Sequence, residues 1–177
     1  MAGNHTDHLI RLFQRRRVVD MPAILRALPG RSRYRVYRDL KALAHLRSYN
    51  QAGRFFTLPD IPRFDPDGLW RYRGAFFSRF GTLKATVRHL VRTAVAGCTH
   101  RELQELLDVR VYNTLLDLLR HGEIARESFG RLFLYVHLDP EVRARQVARR
   151  QEHTQRPTGP HPSAPEGRTP RRTAACC

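Results

Sequence analysis

The sequence predicts a mainly helical α+β chain with small β-hairpins, built from one unit used twice and followed by a basic tail expected to be disordered. A repeat is the first observation. Arg35-Val36-Tyr37-Arg38-Asp39-Leu40-Lys41-Ala42-Leu43, followed by Gly53-Arg54-Phe55-Phe56, has a counterpart in Arg110-Val111-Tyr112-Asn113-Thr114-Leu115-Leu116-Asp117-Leu118, followed by Gly130-Arg131-Leu132-Phe133. A shared motif in a shared order argues for duplication. The second observation is that apolar residues recur at helical spacing behind capping residues in both copies. The third is the hydrophobic content of 41% in 177 residues, enough for small cores but not for a large buried sheet.

The first unit, expected over 1–58, opens with Leu9, Ile10, Leu12 and Phe13 on a short amphipathic helix. Asp20 is a suitable N-cap for a helix from Met21 to Leu28, with Pro22 tolerated in its first turn. Pro29-Gly30-Arg31-Ser32 breaks that helix, and Ser32 caps the next, expected from Arg33 to Leu46. Its buried stripe is Val36, Leu40 and Leu43; Tyr34, Tyr37, Arg38, Lys41 and His45 share the opposite face. Ser48 to Leu58 reads as two strands around Asn50-Gln51-Ala52-Gly53.

The connector, 59–78, is rich in Pro, Gly and aromatics and too apolar for a free linker, so it is expected to pack between the units. Its interleaved Arg63, Arg71, Arg73 and Arg79 leave open a second reading, in which the aromatics stack on unpaired bases. The second unit, 79–139, repeats the first. Thr82 caps a helix from Leu83 to Thr93, and Thr99-His100-Arg101-Glu102 is a capping box opening a helix to Leu107. After a turn at Asp108, a helix from Val109 to Arg120 ends at Gly122. Val111, Leu115 and Leu118 are its core positions; Val109, Tyr112, Asn113, Leu116 and Arg120 form the outer stripe, with Val109 and Leu116 as exposed aliphatics. Ile124 to Leu138 makes a hairpin turning near Ser128-Phe129-Gly130. In 140–177 a basic helix over Glu141 to Arg150 gives way to a disordered tail from Gln151 onward. The tail either adds nonspecific phosphate affinity or is merely solvated.

Helix, turn, helix and hairpin in this order describe a winged helix-turn-helix, so the expected fold is two winged helix-turn-helix units in tandem. The formal charge of +16 favours a polyanionic partner. All but Lys41 and Lys84 of the 32 basic residues are Arg, which suits bidentate phosphate and guanine contacts and equally suits a GC-rich coding sequence. The expected partner is double-stranded DNA, read in the major groove by helix 33–46. Arg33, Tyr34, Arg35, Tyr37, Arg38 and Lys41 are the candidate contacts there, with Arg110, Tyr112 and Asn113 in the second copy. Arg54, Arg126 and Arg131 flank the hairpin turns and either grip the backbone or are solvated turn charges.

Val36-Tyr37-Arg38-Asp39-Leu40 resembles the recognition-helix signature of ferric-uptake-regulator-like winged helices, in which Val-Tyr-Arg-x-Leu recurs. The resemblance implies DNA contact by Tyr37 and Arg38 and burial of Val36 and Leu40. Arg35 stands where that family usually has Thr, and no dimerisation domain with clustered His is present, so metal sensing is not carried over.

Other functions are not expected. Nine His and three Cys are scattered, and Cys98 and His100 lack a second ligand pair, so no metal site is anticipated. No Gly-rich phosphate loop or Gly-x-Ser-x-Gly occurs, so the chain is expected to be no enzyme and to need no cofactor. Without a signal-like opening or a membrane-spanning run, a cytoplasmic protein without membrane contact is expected, nucleoid-associated if bacterial. Cys176 and Cys177 do not match a prenylation box. The expected role is a transcriptional regulator or an accessory DNA-binding factor of a mobile element. The alternative is a winged-helix assembly module with protein or RNA contacts, or self-association, through its less charged second unit.

Overall fold

The computed structural model describes residues 3–155. The tail beyond them, with Cys176 and Cys177, lies outside the described residues. Within them the protein is α+β: seven helices make up about half of the chain, and eight short strands form three small antiparallel sheets.

The first half runs α1 (Gly3–Arg16), β1 (Val19–Asp20), α2 (Met21–Ala27), α3 (Arg33–Ala42), β2 (Leu46–Arg47) and β3 (Phe55–Thr57), with strand order β1-β3-β2. After the hairpin β4 (Leu69–Tyr72) and β5 (Ala75–Ser78), the second half runs α4 (Leu83–Thr93), β6 (Cys98–Thr99), α5 (His100–Leu107), α6 (Tyr112–Arg120), β7 (Ala125–Phe129) and β8 (Leu132–Val136). Its strand order is β6-β8-β7, so both halves place the last strand in the middle. The helix α7 (Pro140–Gln155) follows.

Short polar side chains start four helices by accepting an otherwise orphaned N–H. Asp20 accepts from Ala23 at 3.0 Å, Ser32 from Arg35 at 3.4 Å and Thr82 from Ala85 at 3.2 Å. Thr99 and Glu102 form the reciprocal capping box. Behind these caps, Leu9, Phe13, Ile24, Val36, Leu40 and Phe56 close one core. Val87, Leu103, Leu107, Val111, Leu115 and Leu118 close another.

Several boundaries differ from the sequence reading, among them the first hairpin, whose strand β2 is Leu46–Arg47 and so precedes Ser48. α3 ends at Ala42 rather than Leu46, because Ala44 turns to φ 49 and the His45 N–H bonds Leu40 O, a left-handed closure. His45 therefore leaves the helix, and Leu43 is only half-buried. α6 starts at Tyr112 rather than Val109; Asp108, at φ 54, turns the chain out of α5 and Val111 is the cap position. The second hairpin turns at Gly130-Arg131, between the paired Phe129 and Leu132, as a two-residue loop opened by a glycine of positive φ permits. Finally, α7 continues to Gln155 where the disordered tail was expected to have begun, helped by the Arg149–Glu152 pair at 3.1 Å.

The connector holds the halves together through a hairpin the sequence reading did not include. Arg73 and Gly74 both take positive φ, which matches the twist of a tight antiparallel turn. On one side, Tyr49 N–H bonds Phe76 O at 2.8 Å, Asn50 Nδ2 donates to Gly74 O at 2.8 Å, and Asn50 Oδ1 accepts from Phe76 N–H at 3.0 Å. On the other, Leu69 belongs to the second core, and Arg71 donates to Leu106 O. Tyr49 spans the two by packing against the second core and donating its hydroxyl to Leu107 O at 3.1 Å.

Candidate nucleic-acid interface

Val36 and Leu40 are fully buried, which fixes the rotation of α3 about its axis. Arg33, Tyr34, Arg35, Tyr37, Arg38 and Lys41 are consequently all exposed, Tyr34 by 77%. Among the described residues none of the four cations in that set forms an ion pair. The one acid of α3, Asp39, is drawn aside by Arg31 at 3.3 Å, and both side chains are nearly covered. The face thus presents four fixed positive charges and two phenols with no compensating carboxylate.

No acidic residue occupies the first turn of α3, where Arg33 and Arg35 stand. Cations there oppose the helix dipole and cost about 0.3–1 kcal/mol each when exposed. Free N–H groups and guanidinium groups at the same end form a surface suited to phosphate oxygens.

The hairpin of the first half is not free. The turn 50–53 is bonded to the connector, with Gln51 Nε2 adding a bond to Gly74 O at 3.0 Å. Arg54 is exposed, yet it pairs with Asp20 at 3.0 Å and lies over the Phe55 ring at 5.6 Å. Burial pushes the Asp20 carboxyl up, but the Ala23 N–H and the Arg54 guanidinium outweigh this and hold it below the ordinary carboxylate value. Arg54 is thus tied to a helix cap rather than offered as an independent turn charge.

Strand register also changes which residues correspond. Asp20 pairs with Phe55 and Thr99 with Leu134, so the two caps align Phe55 with Leu134 and Phe56 with Tyr135. Arg54 then corresponds to Phe133, and the Gly-Arg matches of the two copies are two residues out of step. Arg47 faces Phe56 and Arg126 faces Tyr135, making Arg47 and Arg126 the true counterparts. The sequence reading missed Arg47, whose guanidinium lies 5.6 Å from the Phe56 ring centre and donates to Gly53 O at 3.1 and 3.2 Å. Tyr37 meets the same ring edge-on at 6.0 Å. The available signal was the shared position of Arg47 and Arg126 on the strands that follow α3 and α6.

In the second half Tyr112 and Asn113 are exposed on α6, and Arg110 is exposed in the turn before it. Val109 and Leu116, expected to be exposed aliphatics, are each half-buried: Val109 lies in the turn and packs against the second core. Asp117 is occupied by Lys84 at 2.7 Å, and Glu123 by Lys84 and Arg88 at 2.8 and 2.6 Å. The exposed apolar surface lies elsewhere, on the hairpin. Leu132 is 59% and Phe133 52% exposed, next to Arg131 at the tip. Arg126 lies over Phe133 at 4.2 Å. Arg131, Leu132 and Phe133, together with Tyr112 and His100, line a 460 Å³ cleft between the strands and the helix starts.

Cys98 is pushed up to about 11 by burial, with Glu102 adding to the rise, so its thiol stays protonated and unreactive near neutral pH. Among the described residues no three His, Cys, Asp or Glu side chains gather into a possible metal site. Nor is any helix there long and apolar enough to cross a membrane. No family model, curated protein or solved structure matches the chain.

Proposed function

We propose that the protein is a tandem winged helix-turn-helix DNA-binding protein whose first unit reads duplex DNA through α3. The observation that carries this reading is the α3 face: four exposed cations without ion pairs and two exposed phenols, opposite a fully buried Val36 and Leu40. A helix so anchored and so charged suits the major groove, where Arg can grip guanine edges bidentately and its neighbours hold phosphates. The order helix, strand, helix, helix, strand, strand, with the last strand central, supports the fold assignment. Tyr37 and Arg38 are exposed as DNA contact requires, in line with the resemblance to ferric-uptake-regulator-like recognition helices. The matching role is a transcriptional regulator or an accessory DNA-binding factor of a mobile element.

The experiment is a binding selection on random duplexes at near-physiological salt, followed by comparison of wild type with Arg38→Ala. The variant should lose about 1–3 kcal/mol on the selected site and relax preference at one position. Failure to enrich any sequence, or equal affinity of both proteins for the best duplex, rules out the reading.

A second reading is favoured by one observation: Tyr112, Leu132 and Phe133 are exposed beside one cleft in the second unit. Apolar surface of this kind suits a protein contact, through a partner or a second copy, so the second unit serves assembly more than sequence reading.

A further inference from the structure

We propose a second nucleic-acid site, separate from α3: a single-strand track formed by α1, α2 and the tip of the β4–β5 hairpin. Between α1 and α2 lies a 560 Å³ groove lined by Arg11, Arg15, Arg16 and Arg26. A 330 Å³ groove, also lined by Arg15 and Arg16, continues past Phe55 to Tyr72 and Arg73. No carboxylate lines either groove, and no residue of α3 does.

These five arginines are exposed, and among the described residues none forms an ion pair. Seven other arginines, Arg31, Arg54, Arg88, Arg101, Arg143, Arg149 and Arg150, each hold an acid. The nearby Asp20 feels the charge of Arg26 but is engaged by Arg54. Guanidinium groups gathered in a concavity without counter-charge raise the local positive potential, which a polyanion relieves.

Charge alone suits any polyanion; the far end narrows the choice. Trp70 and Tyr72 stack at 5.4 Å and 15°, and the Arg73 guanidinium lies over Tyr72 at 5.4 Å. The ladder thus ends on an exposed planar cation, a surface on which a base can stack. A cationic groove that tracks a backbone and leads to stacked planar groups is how proteins hold an unpaired strand. A duplex, by contrast, keeps its bases stacked on each other and makes no use of that ladder.

The test measures binding of the full chain to a fluorescent oligothymidylate of about fifteen nucleotides, and separately to a random duplex, across a salt series. Wild type is compared with the triple variant Arg15→Ala, Arg16→Ala, Arg26→Ala, with Arg73→Lys and with Arg38→Ala. All are exposed positions, and an unchanged thermal transition verifies the fold. The triple variant should lose roughly tenfold or more in strand affinity and about two units of log-log salt slope, as expected for three lost phosphate contacts. Arg73→Lys keeps the charge but not the plane, and should lose about threefold with the slope unchanged. Arg38→Ala should leave strand binding intact. Unchanged strand binding in the triple variant overturns the proposal, as does equal loss of strand and duplex. Strand binding that depends on Arg38 instead also overturns it, as does tighter binding of poly-glutamate per charge. A duplex unaffected by Arg38→Ala counts against the α3 reading alone, since the strand result does not depend on it.

Discussion

In the first unit the cations of α3 stand free while the 50–53 turn is bonded to the connector hairpin; in the second, the hairpin tip stands free while α6 carries little charge. The same element order therefore supports two different surfaces. One is a charged helix on a fixed support, with Arg54 tied to Asp20 and Arg47 tied to Gly53. The other is an exposed strand turn bearing Leu132, Phe133 and Arg131 beside a cleft. The two halves differ most where packing does not constrain them. Val36 and Leu40 match Val111 and Leu115 in complete burial, whereas the exposed positions around them have changed charge, size and polarity.

The comparison is tested most severely in the cores. Leu40→Ala and Leu115→Ala each empty a fully buried site and should each cost about 2–5 kcal/mol. Because Tyr49 and the β4–β5 hairpin join the two halves, both variants should lower one shared unfolding midpoint. Calorimetry that resolves a second transition left at the wild-type temperature would show that the halves unfold independently.

Division of labour is the next target. Lys41→Glu should weaken duplex binding by about tenfold or more while leaving size in solution unchanged. Phe133→Glu should do the reverse, altering self-association or partner capture with duplex affinity kept within about threefold. Equal losses of duplex affinity in the two variants, with association untouched, would make the units equal readers. Phe133 rather than Leu116 is the position to change, because Leu116 is half-buried and Phe133 is 52% exposed.

Four helix starts were legible because each cap acts over three residues: Asp20, Ser32, Thr82 and Thr99 all accept the N–H expected of them, whereas α6, whose cap position Val111 makes no side-chain bond, starts three residues later than expected. The end of α6 was legible for the same local reason, since Gly122 supplies the left-handed closing residue. α3 closes with the same bonding pattern, but its left-handed residue is Ala44, which carries no such signal. The connector hairpin was hidden in the same way, because its turn uses Arg73 at positive φ where Asn or Gly would have announced it. At the candidate site, exposure of the α3 residues followed from periodicity. The pairing of Arg54 with Asp20 spans 34 positions, and the equivalence of Arg47 with Arg126 depends on strand register. Neither is a local property, and the matched Gly-Arg pairs pointed to the wrong alignment.

The smallest predicted effect separates stability from function within the α3 surface itself. Arg35 lies in the first turn of α3 and is exposed without an ion pair, so its charge opposes the helix dipole and nothing in the fold offsets it. Arg35→Gln should stabilise the protein by about 0.3–1 kcal/mol. For a chain of this size that is a rise of about 1–3 °C in the unfolding midpoint. The same variant should weaken duplex binding and reduce its log-log salt slope by about one unit, because a phosphate contact is lost. Arg110 lies outside α6, two residues before its first turn, so Arg110→Gln should move the midpoint less than Arg35→Gln does. Opposite signs for stability and binding at Arg35 would mean that the unfavourable charge is retained for DNA. A fall in midpoint for Arg35→Gln, or unchanged duplex affinity, would mean that Arg35 serves the fold, and the contact surface of α3 would shrink to Arg33, Tyr34, Tyr37, Arg38 and Lys41.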